Sequence, residues 1–208
     1  MKVRSLNVFA WLAVFMLLGF IATTVFADHT VRHSVNQYTV KLTVNDGVCG
    51  AVMIAPGRAL TATHCLARPN AVLHVGGKEY QVFTGYALPG KDLSVIIGPG
   101  APCPCAPIRG AAAVEGEWVV VVGFPYDVAK VTTYGEVQAR IIHEGQEYVL
   151  AAVSVAPGNS GGGVFDINGN LLGILSASGP NGMLAIYVEA LTINLTDDMV
   201  QVYPKPAE

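Results

Sequence analysis

A single serine stands in a glycine-rich stretch in the last third of the chain, Ala-Pro-Gly-Asn-Ser-Gly-Gly-Gly-Val-Phe-Asp, with Ser160 at its centre. Glycine suits places where the backbone turns sharply or approaches another group closely. A serine hydroxyl is a weak nucleophile unless a base takes its proton, and that base needs a group that orients it. The stretch therefore predicts either a flexible surface loop or a nucleophile whose turn directs backbone N–H groups at a reacting carbonyl. The choice depends on whether the rest of the chain supplies a base and an acid.

The candidate base is one of five histidines, all of which precede the serine. The serine stretch also fits the Gly-x-Ser-x-Gly turn of α/β-hydrolases, but in that fold the histidine follows the serine, so this interpretation is rejected. His64, in Leu-Thr-Ala-Thr-His-Cys, follows an apolar strand-like segment and lies among small residues. His64 is the predicted base. The other histidines are interpreted as an exposed terminal arm (His29, His33), a structural strand residue (His74) and a turn residue (His143).

The candidate acid is one of two aspartates between the predicted base and the serine. Asp92, in Lys-Asp-Leu-Ser-Val-Ile, opens an apolar strand, where a carboxylate can be held out of water against an imidazole N–H. Asp127 follows a proline and is interpreted as a turn residue. Asp28 adjoins the apolar start of the chain, and Asp46 is typical of a hairpin turn. Asp92 is therefore the predicted acid.

The composition predicts an exported all-β protein that does not bind nucleic acid. Of the 208 residues, 52% are hydrophobic and 13% charged. The net charge is -3 and the sequence has no run of basic residues, so nucleic acid is not expected as a partner. Short valine-rich segments are separated by 23 glycines and 12 prolines, a pattern that predicts many short strands. A Pro-, Gly- and Ala-rich stretch divides them near residues 99–116, and the tail over residues 196–208 is predicted to be a short helix or a loose end. Two barrels or sandwiches are the expected class. The expected strands include segments 37–44, 80–86 and 147–155.

The amino-terminal residues predict export from the cytoplasm. Lys2 and Arg4 precede residues 6–27, which carry no charge. The basic start, the apolar core and the small residue Ala27 fit a signal peptide cleaved after residue 27. The uncharged run, at about 20 residues, is also long enough for an uncleaved signal anchor, which would add membrane association through residues 6–27. Both alternatives deliver the rest of the chain to the periplasm or the exterior.

The four cysteines agree with export, because disulfides persist in oxidising compartments. Cys49 and Cys65 flank an apolar segment that can double back as a strand pair, and a bridge closing a loop of that length is worth about 3 kcal/mol. For Cys103 and Cys105, a local bridge, two free thiols and another pairing stay open. Since no second Cys or His pair with ligand spacing stands near them, neither a metal nor a cofactor is expected.

The three motifs around His64, Asp92 and Ser160, in this order, resemble those of the trypsin-like serine proteases over residues 36–190. The similarity is greater to compact bacterial and viral enzymes than to digestive ones. A protease domain is therefore expected over residues 28–208, and the uncharged run before it predicts an N-terminal hydrophobic helix. The resemblance implies two six-stranded antiparallel β-barrels, at about 36–100 and 115–195, with the active site in the cleft between them. A disulfide between Cys49 and Cys65 beside the catalytic histidine is implied as well.

The resemblance also implies roles for the backbone around the serine. The N–H groups of Gly158 and Ser160 would form the oxyanion hole, and His64 and Asp92 would complete a Ser-His-Asp triad. Digestive enzymes carry an aspartate immediately before the serine, which pairs with a newly cut amino terminus. Asn159 stands at that position here, so no activation switch of that type is expected.

The specificity pocket is expected to be neutral. Ser154 lies six residues before the nucleophile, at the position that forms the base of the pocket in the family. Ser176, Ala177 and Ser178 would form its edge strand, and Ala185 would lie near the opposite wall. None of these residues is charged, so small or medium apolar side chains are the predicted preference.

A serine endopeptidase acting on protein or peptide substrates is therefore the expected function. Two alternatives stay open. An esterase would use the same acyl-enzyme chemistry. A catalytically inactive trypsin-like fold would act as an exported or membrane-tethered binding module, because fold alone does not fix function.

Overall fold

The computed structural model describes residues 13–14, 16, 29–45, 47–98, 100–190 and 200–203. The predicted export segment and its hydrophobic helix, residues 1–27, lie almost entirely outside the described residues, as do Asp28 and Asp46. Within the described ranges, no helix is both long enough and apolar enough to cross a membrane.

The first half of the chain forms an open antiparallel sheet instead of the predicted six-stranded barrel. Its order is β14-β6-β7-β3-β2-β1-β4-β5, so the two outer strands are not paired with each other. The expected strand over residues 80–86 breaks at Val82 and Phe83 into β5 and β6, which lie towards opposite ends of the sheet. The strands are β1 (Thr39–Val44), β2 (Gly47–Ala55), β3 (Arg58–Thr61), β4 (Ala71–Val75), β5 (Lys78–Gln81), β6 (Thr84–Ala87), β7 (Ser94–Ile97) and, from the end of the chain, β14 (Val200–Tyr203).

The second half forms a closed antiparallel barrel of six strands, as expected. Its order is β10-β13-β12-β11-β8-β9. The expected strand over residues 147–155 ends earlier, at Ala152, because the chain then turns away toward the serine. The strands are β8 (Trp118–Gly123), β9 (Val131–His143), β10 (Gln146–Ala152), β11 (Gly163–Asp166), β12 (Leu171–Ser178) and β13 (Ala185–Glu189).

Two apolar cores explain the continuous valine run of β8. Val119 and Val121 belong to the core of the closed barrel, together with Tyr187. Val120 and Val122, on the other face of the strand, belong to the core of the first sheet. Both faces of β8 are therefore buried, which is why its pattern is continuous and not alternating. Strand β8 therefore lies at the boundary between the two halves and packs against both cores.

A helix over residues 29–38 stands where an exposed arm and the start of a strand over residues 37–44 were predicted. Val35 is fully buried, and Val31 and Tyr38 pack against the same core. Their spacing of four and three residues is the helical pattern that could have predicted this element. Lys130, in the second half, donates hydrogen bonds to the carbonyls of Asn36 and Thr39 at 2.6 Å each, which anchors the end of the helix.

The cysteines pair as Cys49–Cys65 and Cys103–Cys105. The second pair lies in the connection between β7 and β8, whose described residues form no strand apart from one bridge between Ile108 and Leu171. Residues 200–203 are a strand on the edge of the first sheet, so the expectation of a helix or loose end is wrong for them.

Candidate active site

His64 lies in a 3₁₀ turn over Thr63–Ala67, directly after β3. Cys65 is buried and bridged to Cys49 on β2, so the turn is covalently held to the neighbouring strand. Thr61, the last residue of β3, donates its hydroxyl to the carbonyl of Gly50 at 2.8 Å, also on β2. The imidazole is 47% exposed.

Asp92 lies in the turn that precedes β7 and accepts hydrogen bonds from two residues. His64 Nδ1 is 2.8 Å from Asp92 Oδ2, and the backbone N–H of His64 donates to Oδ1 at 3.0 Å. The Ser176 hydroxyl donates to Oδ2 in a short hydrogen bond. Burial raises the pKa of Asp92, but the hydrogen bonds from His64 and Ser176 and the charge of His64 together hold that pKa below its usual value. The carboxylate is therefore kept ionised beside the imidazole.

The residues before Ser160 form a tight turn. The N–H of Asn159 donates to the carbonyl of Ala156 at 3.0 Å, and Gly158 has a φ of +97°. Pro157 followed by a residue with positive φ is the sequence of a type II turn. A Cβ on Gly158 would lie 2.3 Å from the carbonyl oxygen of Phe124, so only glycine fits this position.

The same turn orients the N–H of Gly158, one of the two groups expected to form the oxyanion hole. The backbone N–H of Tyr126 donates to the carbonyl of Pro157 at 2.7 Å. Because the C=O and N–H of a trans peptide point in opposite directions, the N–H of Gly158 points away from Tyr126. Neither this N–H nor that of Ser160 has a hydrogen-bond acceptor among the residues described. Both donors are thus available to a ligand.

Two further glycines allow the serine turn to touch the first sheet. A Cβ on Gly50 would lie 2.7 Å from the Cα of Gly162, and one on Gly161 would lie 2.2 Å from the carbonyl oxygen of Gly50. The N–H of Gly50 donates to the carbonyl of Ser160 at 2.7 Å. The glycine-rich stretch is therefore a close contact between the two halves and not a flexible loop.

Ser160 is joined to the acid through Ser176 and not directly to the base. The Ser160 hydroxyl donates to the Ser176 carbonyl at 3.5 Å, while the hydroxyl of Ser176 bonds to Asp92. Within the described ranges, Ser160 Oγ has no hydrogen bond to His64. The structure therefore brings His64 and Asp92 together and leaves the serine hydroxyl turned toward β12.

The residues of the expected specificity pocket lie on two segments that meet. The N–H of Val155, next to Ser154, donates to the carbonyl of Gly182 at 2.8 Å. Ser154 is exposed and Ala185 is buried. At the edge of β12, Ala177 and Ser178 are exposed, whereas Ser176 is buried and directed at the acid. Residues 153–157 and 176–185 contain no charged side chain.

The rejected candidates have no hydrogen bond to His64, Asp92 or Ser160 among the residues described. Asp127 forms an ion pair with Lys41 at 2.7 Å. His74 bonds to the Thr43 hydroxyl at 2.9 Å. His143 is exposed beside the turn of the β9–β10 hairpin, as expected, and His29 and His33 are exposed on the helix.

Three functional features have no local signal in the sequence. The side chain of Ser176 contacts the acid, the N–H of Tyr126 holds the serine turn, and the side chain of Gln146 accepts the N–H of Asp92 at 3.0 Å. Each joins segments far apart in the chain. A strand or turn pattern predicts the element but not its partner across a boundary between two sheets.

Comparison with known proteins places these residues in a family context. The profile of the trypsin-like peptidase domain matches residues 48–174, more than half of the chain. A probable periplasmic DegP-like serine endoprotease of Chlamydia trachomatis is 26% identical over 148 residues, which cover 66% of this chain and 30% of that protein. A serine protease of Mycobacterium tuberculosis is 27% identical over 136 residues, covering 59% of this chain and 34% of that protein. This chain therefore spans about a third of the length of these curated relatives.

Solved structures share the fold. The active form of the Mycobacterium tuberculosis protease superposes with a TM-score of 0.70 at 21% identity, over 77% of this chain and 79% of that one. An HtrA-type protease with a bound tripeptide superposes with a TM-score of 0.69 at 22% identity, over 77% of this chain and 60% of that one. At these identities the likeness establishes the fold, a closed six-stranded barrel beside a half-barrel.

Proposed function

The chain belongs to the trypsin-like peptidase family, and from this premise we propose that it is a serine endopeptidase with Ser160 as nucleophile, His64 as general base and Asp92 as the acid that orients the base. Its substrates are proteins or peptides. The HtrA-type relative with a bound tripeptide supports a peptide as the ligand.

The proposed reaction has two halves. The Ser160 hydroxyl turns from Ser176 toward Nε2 of His64, which takes its proton as the oxygen attacks the substrate carbonyl. The N–H groups of Gly158 and Ser160 stabilise the oxyanion, and the protonated imidazole then gives the proton to the departing amine. A water attacks the acyl-enzyme by the same route and releases the acid product with the free serine. Asp92 keeps the Nδ1–H of His64 in place throughout.

One observation carries this proposal: Ser176 bonds to both ends of the triad. Its hydroxyl donates to Asp92 and its carbonyl accepts from Ser160 at 3.5 Å, while Asp92 holds His64 at 2.8 Å. Nucleophile, base and acid are therefore within one connected set of hydrogen bonds. A rotation of the serine hydroxyl is a small change, and catalytic hydrogen bonds commonly tighten only when substrate binds.

The orientation of the Ser160 hydroxyl toward Ser176 is also the observation that favours the second candidate, an inactive binding module. Labelling with a fluorophosphonate separates the two functions. We expect one adduct on Ser160 in the oxidised protein and none in the matched variant Ser160→Ala. A folded protein that acquires no adduct at Ser160 would support the binding module. Turnover of peptides in addition to esters distinguishes an endopeptidase from an esterase.

We also propose a neutral primary specificity pocket formed by Ser154 and by residues 176–178, with Ala185 behind it. Neither segment offers a carboxylate to a basic side chain. Peptides that differ only at the residue before the cleaved bond test this, and small or medium apolar side chains are expected to give the highest kcat/KM. Preferred cleavage after Arg or Lys would contradict the pocket assignment.

The periplasmic names of the DegP-like relatives support export of this chain. Mass spectrometry of the exported protein tests both the export and the fate of residues 1–27. An amino terminus at Asp28 indicates cleavage, and an intact terminus in the membrane fraction indicates an anchor. A protein retained in the cytoplasm would contradict export.

A further inference from the structure

Gln146 lies at the tip of a tight hairpin in the second half of the molecule. It is the first residue of β10 and pairs with His143 of β9 across a two-residue turn. The turn residues Glu144 and Gly145 both have positive φ, at 51° and 79°. This is the type I′ geometry, which fixes the register of the hairpin and hence the position of Gln146.

The side chain of Gln146 crosses to the first half and contacts the main chain of the acid. Its Oε1 accepts the backbone N–H of Asp92 at 3.0 Å. Asp92 precedes β7, so its N–H has no partner within the sheet ladder. The neighbouring residues at the hairpin tip are exposed, whereas Gln146 is half-buried. Among the hydrogen bonds of the described residues, this one joins the hairpin tip to the main chain of Asp92.

Of the two polar atoms of the Gln146 amide, only Oε1 has a hydrogen-bond partner among the residues described. The Nε2 atom is buried and has none within the same residues. A buried donor without a partner is unfavourable, so packing elsewhere must hold the side chain where only Oε1 is used. Because the partner of Oε1 is an N–H, the orientation of the amide is fixed by the contact itself.

We propose that Gln146 is a positioning residue for the catalytic acid. By holding the N–H of Asp92, it fixes the turn from which the carboxylate reaches His64, and it couples that turn to the β9–β10 hairpin of the closed barrel. Ser176 holds the carboxylate from the same barrel. The acid is thus located by two contacts from the opposite half, one to its backbone and one to its side chain. This inference rests on the proposed protease function for its consequence in catalysis.

The test replaces Gln146 with Met, which has a similar length but no acceptor. Gln138→Met is the matched control, because Gln138 is exposed on the same hairpin and bonds only to the local carbonyl of Glu136. We expect Gln146→Met to lower kcat roughly ten-fold, the effect of one lost hydrogen bond, with KM changed less than about two-fold. Gln138→Met should leave both constants unchanged.

A second readout does not depend on activity. The proton shared by His64 Nδ1 and Asp92 gives a far-downfield resonance in the proton NMR spectrum when the two groups are held in place. We expect this resonance to weaken or disappear in Gln146→Met and to persist in Gln138→Met, at similar unfolding temperatures. A wild-type protein that shows the resonance but is not labelled by the fluorophosphonate would contradict the proposed function. The NMR comparison of Gln146→Met with Gln138→Met would still decide whether Gln146 positions Asp92.

If Gln146→Met does not fold, Gln146→Asn serves in its place with Gln138→Asn as control. Asn is shorter by one bond of about 1.5 Å, so its oxygen cannot reach the N–H of Asp92. Retention of the resonance and of kcat in a folded Gln146 variant would overturn the proposal. A lowered unfolding temperature with both readouts unchanged would also overturn it, since Gln146 would then be only structural.

Discussion

In the proposed catalytic site, the carboxylate of Asp92 accepts more hydrogen bonds than any other group. Two N–H groups of His64 and the hydroxyl of Ser176 donate to it, and Gln146 holds its backbone. These donors outweigh the burial of the carboxylate, which is why the pKa of Asp92 lies below its usual value. The ionised form is therefore favoured by folding.

The lowered pKa of Asp92 predicts a specific acid sensitivity. Such a group contributes stability that is fully present above its unfolded pKa of about 4 and is lost as pH falls through the folded value. We expect the free energy of unfolding to fall more steeply for the wild type than for Asp92→Asn as pH is lowered below about 4. Denaturant titrations at several pH values measure the slopes, and equal slopes would contradict the prediction. The same variant should lose about four orders of magnitude in kcat, because the imidazole tautomer is no longer fixed.

The turn before Ser160 predicts that replacing Gly158 lowers kcat. Gly158→Ala forces a Cβ to 2.3 Å from the carbonyl of Phe124, so the peptide that carries the oxyanion donor must move. Loss of such a donor lowers kcat about 100-fold or more. Gly169→Ala is the control, since its φ of +83° is also positive but its Cβ would meet only Val35, at 3.8 Å. Steady-state kinetics and thermal unfolding should show strain in both variants and loss of kcat in Gly158→Ala alone.

Motif order was sufficient to predict the pairing of His64 with Asp92, because each of these residues lies in a recognisable local context. It placed Ser176 on the edge strand of the expected specificity pocket, but it did not predict that the side chain of Ser176 bonds to Asp92. Gln146 was not predicted at all. The strand pattern gives the direction of alternate side chains but not the residue that faces them from another sheet, so contacts across the boundary had no sequence signal.

At the scale of the elements, the helix over residues 29–38 was not predicted, for a related reason. Val31, Val35 and Tyr38 follow helical spacing, but the segment is short and adjoins the strongly alternating strand β1. Its stability comes from tertiary contacts, in which Lys130 holds the carbonyl of Asn36 and Thr132 bonds to its side chain at 3.0 Å. Helices of this length depend on packing more than on intrinsic propensity.

The disulfide between β2 and the histidine turn predicts a stability difference between the two cysteine pairs. Cys49 and Cys65 are separated by 16 residues, and Cys103 and Cys105 by two. Replacing the first pair by alanine should lower the free energy of unfolding by about 3 kcal/mol, and replacing the second pair by roughly half as much, because the closed loop is shorter. Chemical denaturation of the two double variants measures this, and equal losses would contradict it.

At the scale of the whole molecule, the two sheets are joined by an apolar core and by a backbone hydrogen bond. Val120 and Val122 of the barrel complete the core of the first sheet, and the Gly50–Ser160 backbone contact fixes Ser160, the proposed nucleophile, against β2. The sequence predicted two units and a divide between them. The first unit is nevertheless open, because β5 and β6 separate and β14 is added at its edge. Pairing over more than a hundred residues leaves no local pattern.

The returning strand predicts an effect of truncation. A chain that ends after residue 199 lacks β14 and exposes the edge of β6, and it loses the contact of Val202 with the core. Exposed edges promote association with other chains. We expect a lower unfolding temperature and self-association, measured by thermal unfolding and size-exclusion chromatography. A chain that ends after Tyr203 retains the strand and is the control; identical behaviour of the two chains would contradict a structural role for β14.

The place of β14 also constrains the order in which the molecule is made. Residues 39–97 are synthesised first, but the sheet that carries His64 and Asp92 receives its outer strand only when residues 200–203 have been made. Contacts of such long sequence separation form slowly. The first sheet therefore keeps an unprotected edge at β6 until the last part of the chain has been synthesised, and its completion is a late event in biogenesis.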